Sequence, residues 1–175
     1  MSKSWGHSRF DKAVADRMKS LGNLGEYLAE ELLKEAKFKN IKNLNSEKVN
    51  FPYADIYAER DGHKYCISVK TRNKKENNGN LNSRYKLGKE WERLSQEAEA
   101  EHSAIAAWVT VACDIDNGTF DAFFGLLTDL GGNSGIKMTQ EATRDYEQLA
   151  FCRRFEKMGI SEEAYKLLKN KYKSK

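Results

Sequence analysis

Ala54-Asp55-Ile56-Tyr57-Ala58-Glu59-Arg60-Asp61-Gly62-His63-Lys64-Tyr65-Cys66-Ile67-Ser68-Val69-Lys70 is the stretch on which the fold turns. Asp61-Gly62 lies between two segments of strand-like composition and is a pair that a type I′ hairpin turn selects, because that turn needs positive φ at both central positions. A two-residue turn also sets the register. With Arg60 opposite His63, counting outward pairs Tyr57 with Cys66, Ile56 with Ile67 and Asp55 with Ser68. Lys70 then falls two residues beyond Ser68, on the same face and diagonal to Asp55, within reach of a long side chain. Ala54, Ile56 and Ala58 share the opposite face with Tyr65, Ile67 and Val69. One side of the ribbon is apolar, and the other brings together a carboxylate, a hydroxyl and an amine.

Upstream of the hairpin, Leu21, Leu24, Leu28 and Leu32 recur at helical spacing and predict an amphipathic helix to about Lys34. Glu26 projects roughly 150° from that stripe, on the side of Ala29 and Leu33, which form a smaller second contact face. Before it, residues 1–20 are polar, with a hint of helix from Phe10 to Met18. A strand over Ile41 to Leu44 leads into the hairpin. Beyond the hairpin, Lys70, Arg72, Lys74, Lys75, Arg84, Lys86 and Lys89 are opposed between 70 and 89 by Glu76 alone, and the Asn and Gly residues among them read as a long basic loop. Leu87 to His102 reads as a helix, Ala104 to Cys113 as an apolar central strand, and Asn117-Gly118 as a second hairpin turn before Phe120 to Leu127. Thr139 to Met158 reads as a helix stopped by Gly159, followed by a helix over Glu162 to Lys171 capped by Ser161. The expected organisation is therefore a core over residues 1–135 and a helical hairpin over 136–175, packed on it in the same domain.

Asp55, the Ser68-x-Lys70 segment and the order helix, strand, hairpin, helix, strand, strand resemble the PD-(D/E)xK nuclease superfamily, the restriction-endonuclease-like fold. The resemblance covers residues from about 20 to 125. It implies an α/β (α+β) fold, a mixed central sheet flanked by helices with a C-terminal helical extension. It also implies a metal-dependent endonuclease that hydrolyses DNA phosphodiester bonds in restriction, recombination or repair. Asp55 matches the family's first acid and Lys70 its lysine. Pro52 stands three residues before the Asp instead of directly before it. Ser68 stands where an acid is usual, and some members with Ser there recruit an acid from a helix. Gly25-Glu26 is similar to that helical position, with Glu90 and Glu92 as fallback acids.

In that reading Asp55, Glu26 and the Val69 carbonyl hold Mg²⁺ or Mn²⁺. Lys70 orients or deprotonates the nucleophile, and Ser68 hydrogen-bonds a water or the phosphate. Arg72, Lys74, Lys75, Arg84 and Lys86 are the candidate contacts to DNA. Dimeric action is common in the family, which makes the C-terminal helices candidate elements of a homodimer. Two other readings fit the same residues. One is a non-catalytic DNA-binding protein that retains the nuclease fold, favoured by Ser68. The other is an interaction domain in which Asp55 and Lys70 form a cross-strand ion pair of about 0.2–1 kcal/mol.

Composition is compatible with these readings and excludes others. The 175 residues carry a net charge of +4, enough chain for one sizeable core. No apolar run is long enough to span a bilayer, and the N-terminus lacks the apolar core of a signal peptide, so the expected location is the cytoplasm. Cys66, Cys113 and Cys152 form no C-x-x-C pair and are expected to be small buried hydrophobes. Asp114 to Gly125 fails as a calcium loop for want of a Glu at its twelfth position, and Gly131-Gly132-Asn133-Ser134-Gly135 lacks the lysine of a P-loop.

Overall fold

The computed structural model describes residues 20–47 and 53–172. The expected Phe10–Met18 helix and Pro52 lie outside them. Helix α1 (Leu21–Glu35) begins where Ser20 Oγ accepts a hydrogen bond from the Asn23 N–H at 3.1 Å, satisfying one of the free amides of the first turn. Leu24, Leu28 and Leu32 of its stripe are buried and Leu21 is half-buried, and Ala29 and Leu33 on the second contact face are buried as well. β1 (Lys39–Asn43) and the single turn α2 (Leu44–Glu47) lead to the hairpin of β2 (Ile56–Arg60) and β3 (His63–Asn73).

The hairpin pairs as the turn dictates, with Arg60 opposite His63, Tyr57 opposite Cys66 and Ile56 opposite Ile67. After it come β4 (Arg84–Lys86), α3 (Trp91–His102), β5 (Ile105–Asp114) and β6 (Thr119–Leu126). The chain closes with β7 (Gly135–Lys137), α4 (Gln140–Thr143), β8 (Glu147–Arg154) and α5 (Glu162–Tyr172).

The main sheet has the order β1-β2-β3-β5-β6-β8. β3 and β5 are parallel and every other neighbour is antiparallel. A parallel pair needs a crossover, and α3 supplies it. One face of the sheet buries Ile56, Ile67, Val69, Val109 and Val111 under α1, with Ala164 and Leu168 of α5 in the same cluster. The other face buries Trp108 and Ala106 under Tyr85 and Ile136 of the β4–β7 ribbon, and Cys66 against Ala98 of α3. This is the mixed sheet flanked by helices that the sequence led us to expect.

Four expectations need correction. The helix expected from Leu87 starts at Trp91, because Gly88 and Glu90 have φ of 93° and 58° and the Leu87 N–H is bonded to the Ser134 carbonyl, so no helix can propagate through them. The helix expected over Thr139–Met158 is a single turn followed by strand β8, so residues 136–175 are not a helical hairpin. The open edge of β6 offers its backbone groups to this segment, and that long-range pairing overrides the segment's modest helix preference. The basic stretch 70–89 is not one open loop. β3 runs on to Asn73, Lys75 bridges to Leu81, and Arg84–Lys86 pairs with Gly135–Lys137. Finally, Cys66 and Cys113 are buried as expected but Cys152 is exposed. Burial pushes the Cys66 thiol up to about 12, which keeps it an inert donor. Among the described residues no helix is long and apolar enough to cross a membrane.

Candidate active site

The regular ladder of the hairpin stops one residue short of Asp55. Ile67 pairs with Ile56 and also accepts the Asp55 N–H at 2.8 Å, so two residues of one strand answer to one of the other, the count of a β-bulge. The expected Asp55–Ser68 pair is therefore absent and Asp55 is turned. Its Oδ2 accepts the Val69 N–H at 2.7 Å, a charge-assisted bond that fixes the carboxylate. Ala54 follows the same turn. It packs with Leu44, Cys66 and Ala98 instead of with Ile56.

Asp55 Oδ1 then meets a residue that the sequence did not single out. Asn45 Nδ2, on α2, donates to Asp55 Oδ1 at 3.1 Å and to Glu26 Oε1 at 2.7 Å, so the two acids converge on one atom. Glu26 arrives there because α1 lies directly on β3. A Cβ built on Gly25 would stand 1.6 Å from Thr71 Oγ1 and 2.7 Å from Thr71 Cβ, a distance that only a glycine tolerates. Asn45 is itself held from both sides. Its N–H donates to Asn43 Oδ1 at 2.9 Å, Asn43 Nδ2 donates to Glu30 Oε1 at 3.0 Å, and the Leu44 N–H bonds the Asp55 carbonyl at 2.9 Å. The one local signal was Asn43-x-Asn45, the spacing of an Asx turn.

Ser68 and Lys70 stay on the other face of β3, in register with Trp108 and Thr110. Ser68 is 1% exposed, so its hydroxyl is not open to solvent. Lys70 is half-buried and still feels the Asp55 charge. Burial holds its ammonium below the usual lysine range, with Asp55 opposing that shift and Arg72 adding to it. Because the folded value is depressed, charged Lys70 costs stability at neutral pH, and the cost fades as pH rises from the folded value toward the unfolded one. Lys70→Met is therefore expected to raise the urea midpoint at pH 7, with the gain shrinking in titrations at higher pH. An unchanged or lowered midpoint at pH 7 would contradict this.

The fallback acids stand elsewhere. Glu90 pairs with Arg93 at 3.0 Å on an exposed surface, and Glu92 is exposed at the start of α3. Of the expected nucleic-acid contacts, Lys74 is committed to Asp121 at 2.9 Å, a carboxylate 7% exposed that also accepts the Cys152 N–H. Lys75, Arg72, Arg84 and Lys86 are exposed. In the β4–β7 ribbon Tyr85 and Ile136 face inward, so Arg84, Lys86 and Lys137 share the outer face. The Arg84 stem lies over Gly135, where a Cβ would stand 2.7 Å from Arg84 Cγ.

The donor chemistry fits a hard divalent cation. Two carboxylates converge on one point, and Mg²⁺ is commonly held by one or two carboxylates with water completing its shell. Among the described residues no group of three His, Cys, Asp or Glu side chains could hold a metal, so any further protein ligand is an amide, hydroxyl or carbonyl oxygen.

No family model matches this sequence, and no curated protein matches it. Among solved structures it is similar to Hjc of Archaeoglobus fulgidus, a Holliday junction resolvase from an archaeal hyperthermophile, with a TM-score of 0.52 and 18% identity. The match covers 74% of this chain and 97% of the other. The fold is thus similar to that of this resolvase, the mixed sheet flanked by helices that the resemblance implied.

Proposed function

We propose that this protein is a divalent-cation-dependent nuclease that hydrolyses DNA phosphodiester bonds, with branched recombination intermediates as its substrate class. The observation that carries this reading is the convergence of Asp55 and Glu26 on one point at the end of the hairpin. It occurs in a fold similar to that of a Holliday junction resolvase. Asp55 and Glu26 serve as hard-oxygen ligands for Mg²⁺ or Mn²⁺, with the Val69 carbonyl as a further candidate. A bound Mg²⁺ or Mn²⁺ supplies Lewis acidity toward the phosphate and acidity to its coordinated water. Lys70, with its proton loosened by burial, takes a proton from the attacking water or, when charged, balances the phosphate. As the water oxygen bonds to phosphorus, the bond from phosphorus to the leaving sugar oxygen breaks.

The test is incubation with a four-way DNA junction and with supercoiled plasmid, in Mg²⁺, in Mn²⁺ and in chelator. Cation-dependent incision supports the reading. Salt-sensitive junction binding with intact DNA throughout favours the second reading, a non-catalytic DNA-binding protein, which the burial of Ser68 at the usual second acidic position makes worth testing.

Arg84, Lys86 and Lys137 extend the proposed DNA contact across the outer face of the β4–β7 ribbon, alongside Arg72 and Lys75. A two-stranded ribbon is a shape that a major groove admits, and adjacent cations on one strand contact successive phosphates. Alanine at all three is expected to weaken binding to every DNA sequence alike and to reduce the slope of log affinity against log salt by roughly 0.9 for each phosphate that the protein no longer neutralises. An unchanged slope would place the DNA elsewhere. Lys74→Ala is expected to act on stability instead, since it strands buried Asp121.

A further inference from the structure

We infer that Asn45 is an oxygen ligand of the divalent cation assigned above to Asp55 and Glu26, supplied from α2 in place of the acid that position 68 lacks. The inference rests on the cation site of the proposed function. Asn45 Nδ2 lies 2.7 Å from Glu26 Oε1 and 3.1 Å from Asp55 Oδ1, the point where the negative potential of both carboxylates is concentrated. A cation held by those two oxygens sits beside that point, where an oxygen would stand at the separation of adjacent ligands around an octahedral cation, about 3 Å for ligands at about 2.1 Å, and where the positive end of the NH₂ dipole is repelled.

A half-turn about χ2 exchanges Nδ2 for Oδ1 without changing the shape of the side chain. The donor that bridges two anions then becomes an acceptor facing a cation. Side-chain amide oxygens are ordinary ligands of hard divalent cations. The residue needs no backbone movement to serve, because Asn43, Glu30 and the Asp55 carbonyl already fix it between α1 and the hairpin. The alternatives on the neighbouring strand are poor. Ser68 is 1% exposed, and the described residues offer no third acid, His or Cys to a metal group.

The test is the affinity of the full chain for Mn²⁺ and Mg²⁺ by titration calorimetry, in the absence of DNA, for wild type, Asn45→Ala, Asn45→Asp and Asp55→Asn. Melting curves in chelator establish that each variant is folded. Asn45→Ala is expected to weaken cation binding by about tenfold or more. Asn45→Asp, which adds a carboxylate at the same place, is expected to tighten it and keeps the inference testable should the alanine variant fail to fold.

The sign decides the matter. If the amide only competes with the cation for the two carboxylates, Asn45→Ala binds more tightly than wild type and the inference is overturned; unchanged affinity overturns it as well. Loss of binding in Asp55→Asn with unchanged binding in Asn45→Ala removes the role of Asn45 alone. Wild-type affinity in Asp55→Asn, or no cation binding by the wild type, removes the site itself.

Discussion

Asp55→Ala is expected to lower cation-dependent DNA cleavage by on the order of a thousandfold or more, because it deletes a ligand whose cation is worth several kcal/mol to a developing phosphoryl charge. The same change has a structural cost. The carboxylate accepts the Val69 N–H at 2.7 Å, and Val69 is buried, so alanine leaves a buried amide without its partner at a cost of about 1–3 kcal/mol. Asp55→Asn separates the two effects. Its amide oxygen still accepts the Val69 N–H, while the negative charge is gone. Cleavage assays and urea titrations on both variants should therefore show equal losses of activity but a larger loss of stability for alanine. Cleavage by Asp55→Asn at the wild-type rate would falsify the assignment of the site.

A single methyl group at position 25 is expected to disturb the site almost as much, without touching a charged residue. Gly25→Ala would place Cβ 1.6 Å from Thr71 Oγ1 and 2.7 Å from Thr71 Cβ, so α1 must lift off β3 or Thr71 must move with its strand. Alanine gains about 1 kcal/mol over glycine in helix propensity. Overpacking of a tight contact costs typically 1–3 kcal/mol and more when, as here, backbone has to yield. We expect the cost to win and the melting temperature to fall by several degrees, at roughly 2–4 °C per kcal/mol for a chain of this size.

Glu26 is the next residue on the helix and travels with it, away from Asn45. A displacement of about 1 Å at a catalytic group can cost on the order of a hundredfold in rate. Thr71→Gly removes the opposing side chain and is expected to restore part of both losses in the double variant. Additive effects of the two substitutions would show that the contact does not limit the approach of the helix.

Local chemistry in the chain was enough for much of this. Asp61-Gly62 dictated the hairpin and its pairing as far as Ile56 with Ile67. The leucine spacing of α1, the apolar run of β5 and the Asn117-Gly118 turn were legible for the same reason, since turn preference and hydrophobic period are properties of adjacent residues. The convergence of Glu26 on Asp55 could be anticipated only through the likeness to a nuclease family, because nothing near Gly25 in sequence says what the helix touches. Lys74 illustrates the limit of reading charge from sequence. It looked like a DNA contact in a basic loop, yet it lies against Asp121, 47 residues away.

By itself the sequence determined α1, the hairpin and its register, β5 and β6, and most of the residues that could carry chemistry. The tertiary structure alone decided where those residues point. The bulge at Asp55 ends the regular ladder and brings its carboxylate to Asn45 and to the Val69 amide, contacts that no local preference encodes. Strand β8 formed against a modest helical tendency because β6 otherwise leaves an unpaired edge. In each case a backbone polar group that had to be satisfied at long range outweighed preferences worth a few tenths of a kcal/mol per residue.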